Sequence, residues 1–294
     1  MTSSGTAATP GSFSLVTDST CDLGPAELIR LGVRCLPLTV QLQGQEFHDW
    51  TELDPESLYG RMQEGHQAST APPTAEAFVK AYSEVIQTGK PVISIHLSGQ
   101  ISQTAQHARA AVQQLGAADQ ITVIDSKTAS AGLAEYLLSA VSMRDQGLSA
   151  REVVGQLGVL GAGLYSEFYV PNLEFLRRGG RLSRAGYLMG NLTGVRPVLG
   201  FNEEGRIVPR RRVRAGQAGA DLVQHLQAVA QDRPVSVTVY LAGRDQARLL
   251  ELQRAVKSAR LNVVRGRMQL IGCVIGAHIG PGAYGFLVAP AGHS

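Results

Sequence analysis

The sequence predicts a two-domain α/β protein, with a mostly parallel sheet in the N-terminal domain and a mixed sheet in the C-terminal domain. In the first half, apolar strands at 13–17, 92–97 and 121–124 each end in polar residues that precede a helical pattern. In the second half, strands and helices alternate again, beside a hairpin. A chain of 294 residues, 44% of them hydrophobic, is also long enough to bury two medium cores.

The remaining elements of the first half follow from their start signals. Asp54 and Pro55 begin a helix that continues to 62, Thr74 precedes a helix at 75–87, and Ser149 with Glu152 forms a capping box. The run 33–42 has strong strand character. Further helical patterns cover 25–31, an alanine-rich stretch that begins near 102, and 129–144.

The second half begins where the composition becomes glycine-rich, around 155–163, so we predict an N-terminal domain at 13–160 and a C-terminal domain at 161–290. Asn172 caps a short helix that stops at Gly179 and Gly180. The other predicted elements are a strand at 165–170, a hairpin at 195–213 with its turn at 202–205, a helix at 218–230, a strand at 235–241, a helix at 246–259, a strand at 261–264, a glycine-rich loop at 275–285 and a strand at 286–289.

Composition argues against several functional classes. The net charge of +3 is too small to indicate nucleic acid or an anionic membrane, and the arginine run 210–214 is explained by a charged edge strand, since only 5% of residues are aromatic. Residues 1–12 resemble a disordered tail without a basic or apolar leader, and no run approaches the roughly 20 apolar residues of a membrane span. We therefore expect a cytoplasmic protein without stable membrane insertion. Cys21, Cys35 and Cys273 are too far apart to indicate a disulfide framework or a zinc site.

Two stretches that carry hydroxyl groups are candidate ligand sites. Ser102 lies at or near the N-terminus of a helix, where free amides and the helix dipole favour a carboxylate or phosphate. Thr70 lies in a predicted turn that Pro72 and Pro73 make stiff. Ser19 follows the first strand at a sheet edge that commonly faces ligands. Taken alone, Ser102 is more often an ordinary helix cap and Thr70 an ordinary loop residue.

The spacing of residues leaves the function open. The sequence contains no Gly-x-Ser-x-Gly elbow, His-Glu-x-x-His pair or Walker motif. His278 lies in the glycine-rich loop, where a structural hydrogen bond is the commoner role of a single histidine, and Arg181 follows the double glycine, where it could bind an anion, contact a partner or simply be solvated.

Taken together, short motifs along nearly the whole chain resemble the DegV family, which includes the fatty-acid-binding subunit of bacterial fatty acid kinase. The matching pieces are Thr17-Asp18-Ser19, Thr70-Ala71-Pro72-Pro73-Thr74, Ile101-Ser102-Gln103-Thr104, Asp125-Ser126, Leu176-Arg177-Arg178-Gly179-Gly180-Arg181, Arg196-Pro197-Val198-Leu199 and His278-Ile279-Gly280-Pro281-Gly282-Ala283.

The resemblance implies a long-chain fatty acid, such as palmitate or oleate, held between the two domains without another cofactor. It implies that Thr70 and Ser102 bind the carboxylate with His278 close by, and that Arg181 faces the catalytic subunit of a fatty acid kinase. Gln103 stands where the family usually has glycine, and Ala71-Pro72 replaces Ser-Gln. We include Gln103, as a possible extra donor, and Ser19 among the candidate fatty-acid-binding residues.

These expectations describe a carrier that presents a fatty acid for conversion to an acyl phosphate and breaks no bond itself. One alternative is a hydrolase of acyl or phosphate esters, with Ser102 as the nucleophile and His278 as the base. Another alternative is a carrier of a different amphiphile, such as an isoprenoid or a lipid phosphate.

Overall fold

The computed structural model describes residues 12–182 and 194–291, and its first half is built on a parallel sheet. Four strands pair in the order β2-β1-β6-β7, and all three pairings are parallel. The elements of this half are β1 (Ser14–Asp18), α1 (Pro25–Arg30), β2 (Val33–Leu36), β3 (Thr39–Leu42), β4 (Gln45–His48), α2 (Pro55–Gln63), β5 (Ala68–Ala71), α3 (Ala75–Ile86), β6 (Val92–His96), α4 (Thr104–Leu115), β7 (Ile121–Asp125), α5 (Ala131–Asp145) and α6 (Ala150–Gly163).

The second half contains a six-stranded sheet of mixed direction, in the order β10-β9-β8-β13-β11-β12. Its elements are β8 (Tyr165–Tyr169), α7 (Glu174–Arg178), β9 (Val195–Phe201), β10 (Ile207–Arg214), α8 (Ala218–Ala230), β11 (Val235–Leu241), α9 (Gln246–Ser258), β12 (Val263–Leu270), α10 (Cys273–Ile279) and β13 (Tyr284–Pro290). β11 and β12 are parallel, and the other pairs are antiparallel. The predicted fold class, a parallel sheet followed by a mixed one, is confirmed.

The structure has a third sheet, with the strand order β4-β3-β5. The predicted strand run 33–42 is therefore divided between this sheet and the parallel sheet. β2 pairs with β1, and Pro37, which has no amide hydrogen, follows it directly before β3 begins a separate antiparallel ladder. Thr70 therefore lies on β5, opposite Val40, rather than in the predicted turn. Val40 is fully buried in the same hydrophobic cluster as Phe168 and Val274. The small sheet thus packs with the second half of the chain.

The segment 275–285, which holds His278, was predicted as a loop. That prediction was wrong for 275–279, which belong to α10, whereas 280–283 do form a turn. Its glycines allow tight packing: a Cβ at Gly276 would lie 2.5 Å from the Tyr59 hydroxyl. Tertiary packing therefore outweighs the low helix propensity of glycine here.

The predicted strand 261–264 extends much further, as β12, because its register with β11 continues to Leu270. Two of its arginines form ion pairs with the first half of the chain: Arg265 with the buried Glu135 at 2.5 Å, and Arg267 with Glu27 at 2.8 Å. These pairs join the edge of the second sheet to the first half.

The predicted boundary at 160 falls within the last turns of α6, which continues to Gly163. The predicted tail 1–12 lies, apart from Ser12, outside the described residues. The division into domains at 13–160 and 161–290 therefore stays a prediction.

A buried polar network fixes the ends of β1 and β6. One Asp18 oxygen accepts hydrogen bonds from the Leu97 amide, at 3.1 Å, and from His96 Nδ1, at 2.9 Å. His96 Nε2 lies 2.7 Å from the Ser94 hydroxyl, which accepts a hydrogen bond from Tyr82 at 2.8 Å. Because these side chains are fully buried, each must find its partner within the protein. The network holds the turn that leads from β6 to Ser102.

We expect Asp18→Ala to lower the free energy of unfolding by about 3–5 kcal/mol, since it leaves several buried donors without a partner. Urea unfolding followed by circular dichroism measures the change. Asp119→Ala, which removes an exposed carboxylate, is the control and should stay within about 0.5 kcal/mol of the original protein. Equal, small effects of both substitutions would contradict the structural role of Asp18.

Candidate functional site

An apolar cavity lies between the two halves of the chain and is lined by residues of both. It holds about 800 Å³ of space free of protein atoms, its open side included. Most lining side chains are aliphatic or aromatic, and include Leu38, Leu97, Phe168, Leu176, Ile271 and Val274. Thr70, Ser102, Arg181 and His278 belong to the same lining. The cavity is therefore suited to a ligand with a long apolar part and a polar group.

Thr70 and His278 meet in this cavity, although they are far apart in the sequence. Thr70 Oγ1 lies 2.8 Å from His278 Nε2. Thr70 is held by the pairing of β5 with β3, and His278 lies in the last turn of α10. Three of the predicted site residues, Thr70, Ser102 and His278, thus line one cavity.

Two buried carboxylates hold the N-terminus of α10. Asp22 accepts hydrogen bonds from the Gly272 amide at 3.0 Å and from the Ser130 hydroxyl at 2.5 Å, and Asp49 accepts one from the Cys273 amide at 3.0 Å. Burial raises the pKa of Asp22 well above its usual range and that of Asp49 to about 7. Carboxyl groups at a helix N-terminus satisfy amides that have no partner within the helix. These two side chains therefore fix the direction in which α10 carries His278.

The environment of His278 keeps its imidazole neutral. Burial, and secondly the positive charge of Arg181, lower the pKa of His278 to about 4. A neutral imidazole has one donor and one acceptor nitrogen. If Nε2 carries the proton, it donates to Thr70 Oγ1 and leaves the threonine hydroxyl hydrogen free for a ligand.

Ser102 was predicted at or near the N-cap of α4, and it lies one residue before the N-cap, which is Gln103. Its hydroxyl accepts a hydrogen bond from the Thr104 amide at 3.3 Å and lies 2.8 Å from Thr104 Oγ1. Thr104 is fully buried and was not among the predicted site residues. A donation from Thr104 to Ser102 leaves the Ser102 hydroxyl hydrogen available to the cavity. His107 Nδ1, 2.7 Å from the Pro73 carbonyl oxygen, ties α4 to the segment after Thr70.

Arg181 lies in the cavity lining, half-buried, rather than on an open surface. Its Nε donates to the Ile101 carbonyl at 3.1 Å, and Nη1 donates to the Gly179 carbonyl. Burial lowers the pKa of the guanidinium. Arg181 thus links α7 to the turn before Ser102 and places a positive charge near His278. Its predicted contact with a partner stays a prediction.

The double-glycine motif and the His278 motif fit against each other. A Cβ at Gly179 would lie 2.3 Å from His278 Nδ1, and a Cβ at Gly280 would lie 2.3 Å from the Phe175 ring. Any side chain at Gly179 would displace the imidazole. The glycines therefore serve close contact between α7 and α10.

The structure does not bring the other two predicted residues into the cavity lining. The Ser19 hydroxyl is buried and accepts a hydrogen bond from the Leu38 amide at 3.1 Å. Gln103 is exposed, and its side chain makes no capping hydrogen bond at α4. Both have local structural positions, so their role in binding stays a prediction.

Within residues 12–182 and 194–291, no group of three or more His, Cys, Asp or Glu residues is arranged to hold a metal ion. No helix in this part of the chain is both long and apolar enough to cross a membrane.

We expect His278 to titrate at about 4 in the folded protein. Arg181→Gln should raise this pKa, though not to the ordinary value of 6.5, because burial is the larger cause. Since the fold disfavours the charged ring, stability falls as the pH decreases from about 6.5 to 4, and His278→Gln should remove that part of the loss. Titration of the imidazole by NMR measures the pKa, and a value near 6.5 would contradict the buried, neutral assignment.

Comparisons with known proteins agree with this geometry. The profile of the DegV family, described as uncharacterised, matches residues 12–291. A DegV domain-containing protein of Deinococcus radiodurans is 33% identical over 284 residues, which cover 95% of this chain and 99% of the relative. One from Streptomyces coelicolor is also 33% identical, over 94% of this chain and 97% of the relative.

Three solved structures have the same fold. The DegV family protein of Thermus thermophilus, described for its fatty acid binding, has a TM-score of 0.88 and 34% identity and covers 95% of this chain and 99% of its own. DegV of Bacillus subtilis, a fatty acid binding protein, has a TM-score of 0.84 and 28% identity and covers 95% of this chain and 99% of its own. A stearic acid-binding protein of Eubacterium ventriosum has a TM-score of 0.84 and 25% identity and covers 95% of this chain and 98% of its own. By its sequence and its fold, the chain described here belongs to the DegV family.

Proposed function

We propose that this protein binds a long-chain fatty acid and presents its carboxylate to a kinase. The observation that carries the proposal is the amphipathic cavity, in which the Thr70–His278 pair lies beside Ser102 and a half-buried arginine. Fatty acid binding by the Thermus thermophilus and Bacillus subtilis relatives supports the choice of ligand.

The hydrocarbon tail supplies most of the affinity. Burying roughly 10 to 14 methylenes at about 0.8 kcal/mol each gives on the order of 8 to 11 kcal/mol. The loss of translational and rotational freedom on association offsets part of this sum, and the apolar tail remains the main favourable contribution. The head group therefore serves mainly to orient the ligand.

The head group is held by neutral donors. The hydroxyl hydrogens of Thr70 and Ser102 point to the carboxylate when His278 and Thr104 donate to the two hydroxyl oxygens. Arg181 adds a positive charge, but its Nε and Nη1 already donate to backbone carbonyls, so it does not clasp the carboxylate with both.

This arrangement suits phosphoryl transfer by a partner. A carboxylate oxygen that is not held by a bidentate arginine stays nucleophilic. It attacks the γ-phosphorus of ATP on the kinase, an acyl phosphate forms, and ADP leaves. In this role the protein orients the nucleophile and catalyses no step alone. The ATP-dependent role fits the predicted cytoplasmic location.

The hydrolase alternative has less geometric support. It needs Ser102 as a nucleophile within reach of His278 as a base. Among the described residues, Ser102 is hydrogen-bonded to Thr104 and His278 to Thr70, with no hydrogen bond between Ser102 and His278. With a pKa of about 4, His278 is also a weak base at neutral pH. A carrier of another amphiphile differs from the proposal in ligand identity alone.

Substitution of the head-group residues tests the binding site. Thr70→Val and Ser102→Ala each remove one donor to a charged group, so each should weaken palmitate binding by about 10- to 100-fold. Ser69→Ala is the control, because Ser69 is exposed and outside the cavity lining. Mass spectrometry of solvent extracts from the denatured proteins identifies any retained ligand. An empty extract, with no binding of added palmitate or oleate, would refute the proposed function.

Presentation to a kinase is tested separately. The palmitate-loaded protein is mixed with MgATP and the purified catalytic subunit of a bacterial fatty acid kinase, and acyl phosphate is trapped with hydroxylamine. We expect the hydroxamate only when both proteins are present. The kinase's own fatty-acid-binding subunit is the positive control. A kinase that is active with its own subunit but inactive with this loaded protein would argue for storage or transport instead.

A further inference from the structure

A second, larger groove opens behind the cavity. It lies between α6, the segment after β7 and the tip of the β9–β10 hairpin, and holds about 2010 Å³ of space, its open side included. Its floor has apolar side chains such as Val154, Leu157 and Leu287, and its rim carries charged ones such as Lys127 and Glu203. An apolar floor under a polar rim can take a hydrocarbon end but offers no enclosed head-group site.

Two residues, Phe201 and Ser166, line both the cavity and the groove. The sheet register explains why. Ser166 is directly opposite Leu287 on β13, and continuing the Glu167–Gly200 pairing by one step places Phe201 opposite Ser166 on the other side. Residues directly opposite one another in a sheet point to the same face. Phe201, Ser166 and Leu287 therefore form one row across the sheet, which we call the rear row.

The rear row lies farther along the second sheet than the residues that follow α10. β13 begins at Tyr284, just after the helix that carries His278, and Tyr284 is opposite Tyr169. Ser166 precedes Tyr169 by three residues, a distance of about 10 Å along an extended strand. An acyl chain that starts at Thr70 and follows β8 from Tyr169 to Ser166 would reach the rear row.

Phe201 is the residue of the rear row whose substitution would open the cavity toward the groove. Its ring is half-buried and packs against Phe168 at 6.1 Å between centroids. The hairpin backbone beside it is anchored, since Ser98 donates to the Gly205 carbonyl at 2.8 Å. Ser166 is committed to a hydrogen bond with the Tyr240 hydroxyl at 2.7 Å. The wall thus has a fixed backbone, a fixed polar residue and one bulky aromatic ring.

We propose that the Phe201 ring closes the cavity at the rear row and thereby limits acyl-chain length; this inference rests on the proposed function. When the ring is removed, the groove behind it accepts the methyl end of longer chains. Phe201 is then a specificity-determining residue. Its ring closes the apolar cavity against a groove that already has an apolar floor.

The test compares delipidated full-length variants for binding of saturated fatty acids of 14 to 24 carbons. Phe201→Ala should improve binding of the 22- and 24-carbon acids relative to palmitate by about tenfold or more, because each further buried methylene contributes roughly a fourfold change. Phe201→Trp should shift the preference to shorter chains. Glu203→Ala, an exposed groove residue on the same hairpin, is the control and should leave the profile unchanged. Thermal unfolding confirms that each variant is folded.

The outcomes separate this inference from the proposed function. If the original protein binds palmitate and Phe201→Ala is folded but keeps the original chain-length profile, the inference is overturned and the proposed function stands. Equal shifts with Glu203→Ala and Phe201→Ala would also overturn it, because they would assign the effect to the hairpin as a whole. If the original protein binds no fatty acid, both fail.

Discussion

The position of α10 is the constraint on which the site depends. A seven-residue helix with a glycine at its centre does not form by itself in water, so its packing and its end contacts must define it. Asp22 and Asp49 accept hydrogen bonds at its N-terminus, and Tyr59 fills the space beside Gly276. At the other end, Gly179 makes room for the His278 ring. With α10 fixed in this way, His278 reaches Thr70, and the two halves of the chain share one cavity.

The same carboxyl groups link the stability of the fold to the geometry of the site. Asp22 follows the first strand of the parallel sheet, whereas Asp49 follows the β3–β4 hairpin. Both contact a helix that belongs to the second half. A change at either contact would therefore act on the imidazole, several residues away, without touching the ligand. This explains how residues outside the cavity can determine the orientation of the head-group donors.

Much of the fold could be predicted because local patterns and global packing agree. The helix α3 follows from its periodicity and its cap, Thr74, and α8 follows from its periodicity alone. The predictions that were wrong are those in which contacts between distant parts of the chain determine the local structure. Thr70 is in a strand because β3 provides a partner that no local pattern reveals, and α10 forms because remote carboxyl groups satisfy its first amides. Thr70 and Ser102 were candidates from their local patterns, and the resemblance of motifs assigned them, with His278, to the carboxylate. Thr104 could be found only from its contact with Ser102, although a hydroxyl two residues after Ser102 is a weak signal.

The distribution of histidines argues for binding rather than bond cleavage. Asp18, His96 and Ser94 form a hydrogen-bonded series with the connectivity of a catalytic triad, yet all three are fully buried and therefore closed to substrate. His278 has the opposite properties: it lines the cavity, but its hydrogen-bond partner is Thr70 rather than a serine nucleophile, and burial and a neighbouring arginine lower its pKa. A hydrolase needs both properties, the polarised histidine and the access, at one place. His96 and His278 each have only one of them, so His278 is suited to orient a carboxylate and His96 to hold two strands together.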